Sequence, residues 1–167
     1  LISQVLLRVL YMIPLVFLVL RDAGQHQAVA IASAVGGMVF MAGQISGSLS
    51  WITISAEDAP ELIAASPASL WTVWRAKIVG ALIPLAVLLA IPLAALVVIQ
   101  PWSGLVAAAG CVACSVSTAM INIWMQKPGK RTEFRRRRDS ALVATIAEMI
   151  VGALWGAAAG LAVAGMA

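Results

Sequence analysis

Long apolar segments alternate with short polar stretches along almost the whole chain. The apolar segments cover residues 6–20, 28–54, 78–99, 104–125 and 141–164. A helix that crosses the hydrocarbon core of a bilayer needs about 20 apolar residues, and helices satisfy their own backbone groups in lipid. The pattern therefore predicts an all-α polytopic transmembrane helical bundle with five spans, forming a single domain over residues 1–167.

Two turn features refine this prediction. Residues 100–103 leave room only for a tight turn, so the third and fourth spans are expected to form an antiparallel hairpin. Pro84 and Pro92 lie inside the third span, where neighbouring groups can compensate for the lost backbone hydrogen bonds. We therefore expect kinks within a continuous span.

The composition supports a membrane protein with no sizeable soluble domain. The chain is 62% hydrophobic and 11% charged, with a mean hydropathy of +1.00, whereas soluble domains carry about 25% charged residues. It opens on Leu1 without an initiator Met, so we expect it to be part of a longer chain.

The charges predict the orientation in the membrane. Seven of the eleven cations lie in the basic loop 126–140. If this loop is cytoplasmic, so are the N-terminus and residues 55–77, and only Arg21 of the cations lies outside. This agrees with the positive-inside rule. We expect the chain to be an integral protein of a bacterial plasma membrane. The C-terminus then lies outside, so a sixth span is expected beyond Ala167.

The basic loop is interpreted as a lipid-facing anchor. A nucleic-acid interface would need interleaved aromatic residues or a folded platform, and Phe134 is the one aromatic residue in the run. The sequence therefore predicts the lipid bilayer as a partner and no nucleic acid.

Small residues recur at helical spacing in two spans. Gly43 and Gly47 form a G-x-x-x-G pair, and Gly152, Gly156 and Gly160 repeat every four residues. Such stripes let helix backbones approach closely. We expect these glycines to pack against another helix or against a second copy of the protein.

Four polar residues inside the spans are candidates for a translocation path or for buried hydrogen bonding: Gln44, Ser48, Asn122 and Glu148. Glu148 lies about 10 Å along the fifth span at 1.5 Å per residue, where an ionised, unpaired carboxylate is costly. It is therefore protonated, paired with an amide such as Gln44 or Asn122, or exposed to a wet cavity. Structural and transport roles both remain open.

The sequence does not predict an enzyme or a metal site. Cys111 and Cys114 form a single C-x-x-C within an apolar run, which is typical of small packing residues. His26, the one histidine, stands in a short polar loop. No H-E-x-x-H, D-x-x-D or G-x-S-x-G motif occurs, and Glu148 is the one acid clearly inside a span.

Residues 55–77 are the longest polar interruption between two spans, and their first part predicts a short helix. Ser55 precedes Asp58 by three residues, an N-cap spacing. Glu57, Asp58 and Glu61 fall in the first turns, where the helix dipole favours acidic groups. The helix is expected to end before Ser66.

The second part predicts another helix. Ser66 and Pro67 read as an N-cap followed by proline at the first helical position. The residues that follow place one apolar stripe on a single face: Leu70, Trp71, Trp74 and Ile78. We expect this helix to lie along the cytoplasmic surface before the chain turns into the third span.

These motifs resemble the permeases of ABC-2 type exporters. In that family the second and third spans are joined by a cytoplasmic segment with an acidic cluster, a Glu before a Leu-rich stretch, a Pro-Val-Ser-Arg-like turn and a Lys. Here Glu61-Leu62-Ile63, Pro67-Ala68-Ser69 and Lys77 stand at matching spacing. Ala59-Pro60 replaces the family's Gly-Thr and Leu70 replaces its Arg, which indicates a divergent branch.

The resemblance implies a permease that couples to a separate cytosolic nucleotide-binding ATPase subunit. A coupling helix around residues 57–65 would dock on that subunit, which would bind the ATP, so this chain would bind no cofactor. The implied partner-binding residues are Glu57, Asp58, Glu61, Leu62, Pro67 and Lys77. A second permease half or a homodimer would complete the path.

Other interpretations remain open. One alternative is an ion-coupled secondary transporter with Glu148 as its proton carrier, and another is a structural membrane subunit. The segment 55–77 also fits an ordinary amphipathic loop helix anchored by interfacial tryptophans.

Overall fold

The computed structural model describes residues 27–55, 69–125 and 134–165. Within these ranges the chain forms four α-helices and no strand: α1 Gln27–Ser55, α2 Leu70–Ile99, α3 Pro101–Met125 and α4 Phe134–Ala164. Each contains a stretch long and apolar enough to cross a membrane. The all-helical class is therefore confirmed for the described residues, and four of the predicted spans are helices of spanning length. The predicted span at 6–20 lies outside the described residues, as does most of the proposed coupling segment.

Helix α1 is the centre of the bundle. It packs against α2, α3 and α4, and α3 also contacts α2 and α4, whereas α2 and α4 do not touch each other. The apolar core lines α1 through Ala32, Val35, Val39, Ala42 and Ile45. Because α1 also carries Gly36, Gly43 and Gly47, the neighbouring helices can come close to its backbone.

The closest approach is between α1 and α4. A Cβ added at Gly36 would lie 2.7 Å from the carbonyl oxygen of Gly156, and one added at Gly156 would lie 2.8 Å from the carbonyl oxygen of Gly36. A Cβ at Gly160 would lie 3.1 Å from the oxygen of Ala32. Backbone therefore packs on backbone, and only glycine fits at the Gly36–Gly156 crossing.

Helices α2 and α3 form the expected hairpin with a very short turn. Gln100 is the only residue between them; its N–H donates to the Leu96 oxygen at 2.8 Å, and its oxygen accepts from the Gly104 N–H at 2.9 Å. Pro101 occupies the first position of α3, where a missing N–H costs nothing. A Cβ at Gly104 would lie 2.6 Å from the Val97 Cα, so glycine permits the tight reversal.

The start of α2 differs from the sequence prediction. Ser69, and not Ser66, is the N-cap: its hydroxyl accepts from the Thr72 N–H at 3.3 Å and lies 2.9 Å from the Thr72 hydroxyl. The predicted surface helix and third span are one continuous helix, because residues 70–79 contain neither glycine nor proline. Pro84 and Pro92 both lie inside it.

The start of α4 also differs. The helix begins at Phe134, so the backbone of Arg135 to Arg138 is helical and not part of a loop that extends to residue 140. Arginine is a good helix former, and no glycine or proline separates this run from the span. The basic segment therefore leads directly into the membrane helix.

Candidate functional site

Three helices meet around one carboxyl group. Gly47 lies near the C-terminal end of α1, Asn122 lies near the C-terminal end of α3, and Glu148 lies in the first half of α4. Since α1 and α3 end on the side where α4 begins, these positions come together at one end of the bundle. Asn122 is 1% exposed and Glu148 is 4% exposed. The structure thus buries the one acidic side chain of the apolar span Leu142–Ala164.

Asn122 fixes the position of this carboxyl. Its side-chain amide donates to Glu148 Oε1 at 2.5 Å and to the backbone oxygen of Thr118 at 2.9 Å. The second bond is made within α3, one turn back, and holds the amide in place. Because a buried polar group without a hydrogen bond is costly, the amide stabilises Glu148 at this depth.

Gly47 provides the space that the carboxyl occupies. A Cβ at this position would overlap Glu148 Oε2 and would lie 2.8 Å from Glu148 Cδ and 3.3 Å from Asn122 Nδ2. Any side chain at position 47 would therefore displace the carboxyl or move α1. Gly47, the second glycine of the G-x-x-x-G pair, therefore packs against the Glu148 carboxyl and not only against an apolar helix surface.

Buried hydroxyl groups continue this polar region toward the middle of the bundle. The Ser46 hydroxyl donates to the Ser115 backbone oxygen at 2.8 Å, which links α1 to α3. Thr118 donates to the Cys114 backbone oxygen at 3.0 Å within α3. The Ser115 hydroxyl, 1% exposed, has no hydrogen-bond partner in the described part of the chain. We call this region, Ser46 to Ser50 with Ser115 to Asn122 and Glu148, the polar seam.

Two more predicted polar residues lie on α1. Ser48 is buried and donates to the Gln44 backbone oxygen at 3.0 Å, within the same helix. Gln44 is half-buried and faces α4, since a Cβ at Gly152 would lie 3.4 Å from Gln44 Nε2. The structure brings Asn122 and Glu148 into hydrogen-bonding contact, whereas the bond described for Ser48 stays within α1.

The predicted glycines all lie in helix interfaces. Gly43 lies against the Cys114 thiol on α3, with no room for a Cβ. Gly152 lies against the Phe40 ring, with a would-be Cβ 3.1 Å from Phe40 Cδ2, and Gly156 and Gly160 contact the α1 backbone. The stripe on α4 therefore packs on α1 of the same chain.

The two cysteines act as small buried residues. Cys111 and Cys114 are free thiols in the core of α3. Among the described residues, no group of three or more His, Cys, Asp or Glu side chains is placed to hold a metal ion.

The proposed coupling residues are separate from the polar seam. Glu57, Asp58, Glu61, Leu62 and Pro67 lie outside the described residues. Lys77 lies on the second turn of α2 and is half-buried. Lys77 lies on α2 and Glu148 lies on α4, and these two helices do not contact each other.

Sequence reasoning missed the roles of Gly47, Ser46, Ser115 and Thr118 in the seam. A signal was present on α3, where positions 111, 115, 118 and 122 share one helix face, and all four are buried. No such signal indicated the contact of Gly47 with Glu148, since this contact depends on the axial position of α1 relative to α4.

Comparison of the chain with models of known protein families, with curated proteins and with solved structures finds no match.

Proposed function

We propose that this chain is the membrane-spanning permease component of an ATP-driven exporter of the ABC-2 type, coupled to a separate nucleotide-binding subunit. One observation supports this most directly. Helix α2 runs unbroken from the Ser69 cap to Ile99, and its first two turns are the end of the segment that carries the resemblance, up to Lys77. A displacement of that segment would therefore be transmitted along a rigid helix.

The length of α2 fits this role. Its 30 residues span about 45 Å at 1.5 Å per residue, which exceeds the hydrocarbon thickness of about 30 Å. The first turns, with Arg75 exposed and Lys77 half-buried, therefore extend toward the cytoplasmic face in the orientation that the charges predict. A partner on that face would reach the helix without entering the membrane.

The packing of α2 also fits a moving element. Its fully buried side chains are confined to one stripe, Ala81, Leu85 and Leu89, which contacts α1 and α3. The opposite side exposes large apolar residues such as Val87 and Ile91. Lipid chains are as apolar as these side chains, so a shift of α2 exchanges protein contacts for lipid contacts at low cost.

In this proposal α1, α3 and α4 form the fixed part of the permease. Closure of the ATPase dimer would push the acidic coupling helix, and α2 would tilt against the α1–α3 surface. A second permease half or a second copy would supply the other wall of the path.

The test is co-purification of the full-length protein from its native membrane in mild detergent, with mass spectrometry of bound proteins and an ATP hydrolysis assay. We expect a stoichiometric ATPase. The triple variant Glu57→Lys, Asp58→Lys, Glu61→Lys should co-purify with at most about one tenth of the ATPase that the wild-type protein binds, because reversing charges at an interface costs several kcal/mol.

The matched control is the double variant Glu133→Lys, Asp139→Lys, which reverses acidic charges in the other predicted cytoplasmic segment. It should retain the ATPase. The proposal fails if no ATPase is bound by the wild-type protein, or if the triple variant binds it as well as the control does.

A further inference from the structure

Four consecutive arginines, Arg135 to Arg138, stand at the start of α4 and have no part in the proposed coupling to an ATPase. Their backbone is helical, because α4 begins at Phe134. Residues seven positions apart in a helix lie on nearly the same side, with a drift of about 20°. The exposure of residues 142–145, one heptad further along, therefore shows to which side of α4 each arginine position belongs.

Three of the four positions belong to the outward side of α4. The residues seven positions after Arg135, Arg136 and Arg138 are all exposed: Leu142, Val143 and Thr145. By contrast, Ala144, which lies seven positions after Arg137, is fully buried, on the side by which α4 packs against its neighbours α1 and α3. We call positions 135, 136 and 138 the outward basic face, whereas position 137 belongs to the packed side.

An apolar strip follows directly on the outward side. Five large apolar residues in the first turns of the span are each more than half exposed: Leu142, Val143, Ile146, Met149 and Ile150. From the first to the last of them the helix rises about 12 Å, which is most of the roughly 15 Å of hydrocarbon that one leaflet contributes. The outward side of α4 thus presents cations at its start and an apolar surface next to them.

The arginines lie at the depth of the lipid headgroups. The apolar span Leu142–Ala164 is about 35 Å long and fills the hydrocarbon core of about 30 Å. Arg138 lies four residues before this span, about 6 Å along the helix, and the headgroup layer is about 5 to 8 Å thick on each side. At the same end of the bundle, Trp124 of α3 is 81% exposed, and tryptophan favours the membrane interface.

We propose that the outward basic face is a binding site for an anionic phospholipid. The lipid phosphate contacts the arginines, and the acyl chains lie along the exposed apolar strip of α4. No covalent bond is made or broken in this association. Only the register of α4 is required, and the proposed ATPase partner is not. The anchor predicted from the sequence thereby becomes a site of defined position, which includes three of the arginines and leaves out the fourth.

The charges favour an anionic lipid over a zwitterionic one. Asp139 also lies on the outward side, since Ile146, seven positions later, is exposed. It can pair with Arg135, because helix residues four apart are neighbours, and two positive charges then remain on the face. Guanidinium groups bind phosphate oxygens in a bidentate manner, and basic segments beside a span attract anionic lipids. A zwitterionic headgroup brings a cation that the face would repel.

The apolar strip favours a lipid over a soluble polyanion. A nucleic acid or an acidic protein segment would use only the cations at the membrane surface. A phospholipid uses the cations and the strip together, so the two parts of its structure match two adjoining parts of α4.

The first test is native mass spectrometry of the full-length protein in mild detergent, titrated with phosphatidylglycerol or with phosphatidylcholine of the same acyl chains. We expect phosphatidylglycerol to bind at least about fivefold more tightly, because a single cation near an anionic lipid surface contributes roughly this factor. Equal binding of the two lipids would overturn the proposal.

Two neighbouring arginines provide a matched pair of variants. Arg138→Gln removes one charge from the outward face, and Arg137→Gln removes one from the packed side. Phosphatidylglycerol binding should weaken about fivefold in the first variant and less than about twofold in the second, where the lost charge is more distant and is screened by salt. Equal weakening would show that the lipid responds to the total charge of the run, and the site would be wrong.

Two triple variants test the whole face. Arg135→Gln, Arg136→Gln, Arg138→Gln should lose the preference for phosphatidylglycerol over phosphatidylcholine. The corresponding triple substitution to Lys keeps the charges and should retain most of this preference. Thermal unfolding in the same detergent identifies the folded variants, and the single variants decide if the triple Gln variant does not fold. A folded triple Gln variant with the wild-type preference would contradict the proposal.

Glycerol 3-phosphate, which carries a phosphate without acyl chains, separates a bound lipid from a free anion. Added at the concentration at which phosphatidylglycerol saturates the protein, it should leave the bound lipid in place. Displacement by glycerol 3-phosphate, or by a short oligonucleotide at the same concentration, would identify a soluble anion as the ligand and overturn the lipid site. None of these readouts involves the ATPase, so a failed partner search leaves them intact.

Discussion

Helix α2 packs in the membrane domain differently from the unit that α1, α3 and α4 form. The span in α2 is the most apolar of the four, yet only 6% of its most apolar window is buried, against 44% for α3 and 39% for α1. The tightly packed helices are the ones rich in glycine, alanine and serine. Apolarity therefore places a helix in the bilayer here, and small residues decide which helices stay together.

The physical reason is the solvent. Lipid chains compete for an apolar side chain as well as another helix does, so association depends on close packing and on hydrogen bonds. Close packing is found at the α1–α4 crossing, between Gly36 and Gly156. An interhelical hydrogen bond is found in the polar seam, between Asn122 and Glu148. Among the contacts described above, α2 comes this close to a neighbour only at the turn, where a Cβ at Gly104 would lie 2.6 Å from the Val97 Cα. No interhelical hydrogen bond of α2 is among them.

The largest expected effect tests the close packing. Gly156→Ala places a methyl group 2.8 Å from the Gly36 carbonyl oxygen, which is rigid backbone, so α1 and α4 must move apart. We expect the free energy of unfolding to fall by about 3 kcal/mol, the upper range for overpacking, as measured by denaturant titration in detergent. Gly80→Ala is the control and should be neutral or gain up to about 1 kcal/mol from helix propensity. Equal stability of the two variants would break the comparison.

An intermediate effect is expected at the polar seam. Asn122→Ala removes the donor to Glu148 and leaves the carboxyl buried without that bond, which should cost about 2 kcal/mol. The Ser117 hydroxyl bonds only within α3, to the Ala113 oxygen at 2.8 Å, so Ser117→Ala should change stability little. Thermal unfolding of both variants in the same detergent measures the difference. A loss at Ser117 as large as that at Asn122 would mean that the seam contributes no special stability.

The smallest effect is expected on α2. Leu85 is 3% exposed, but its removal exchanges protein contacts for lipid contacts, so Leu85→Ala should cost about 1 kcal/mol and not the roughly 2–5 kcal/mol of a water-soluble core. Val87, 71% exposed, provides the control, and Val87→Ala should be neutral. A loss at Leu85 that exceeds the loss at Gly156 would show that α2 belongs to the rigid unit.

The comparison also explains what could be predicted from the sequence. Hydrophobic length located the four described spans, although the third begins at Trp71 and not at residue 78. A tight turn was predicted over residues 100–103, of which only Gln100 lies between α2 and α3. Local choices were less certain: Ser66 and Ser69 are both acceptable N-caps, and the arginine run before Ala141 can be loop or helix. In each case the neighbouring residues permit either outcome, so the start of the helix was misplaced.

The site was predicted only in part. Burial depth identified Glu148 as unusual and limited its partners to a few amides, of which Asn122 makes the contact. Which amide makes the contact depends on the axial register of α3 against α4, and this register is set by glycine contacts between helices. A span can be recognised from its own residues, whereas a register between two spans is a property of both.

The position of α1 in the bundle also has a consequence for synthesis. Its partner surface on α4 lies 120 residues later, at Gly156 relative to Gly36, which takes about 6 to 24 s to translate at the usual rate. During this interval the glycines and serines of α1 face lipid or the insertion machinery without α4. The packing around the central helix α1 is therefore completed last. Nascent chains truncated before α4 should be recognised by membrane quality control as unassembled.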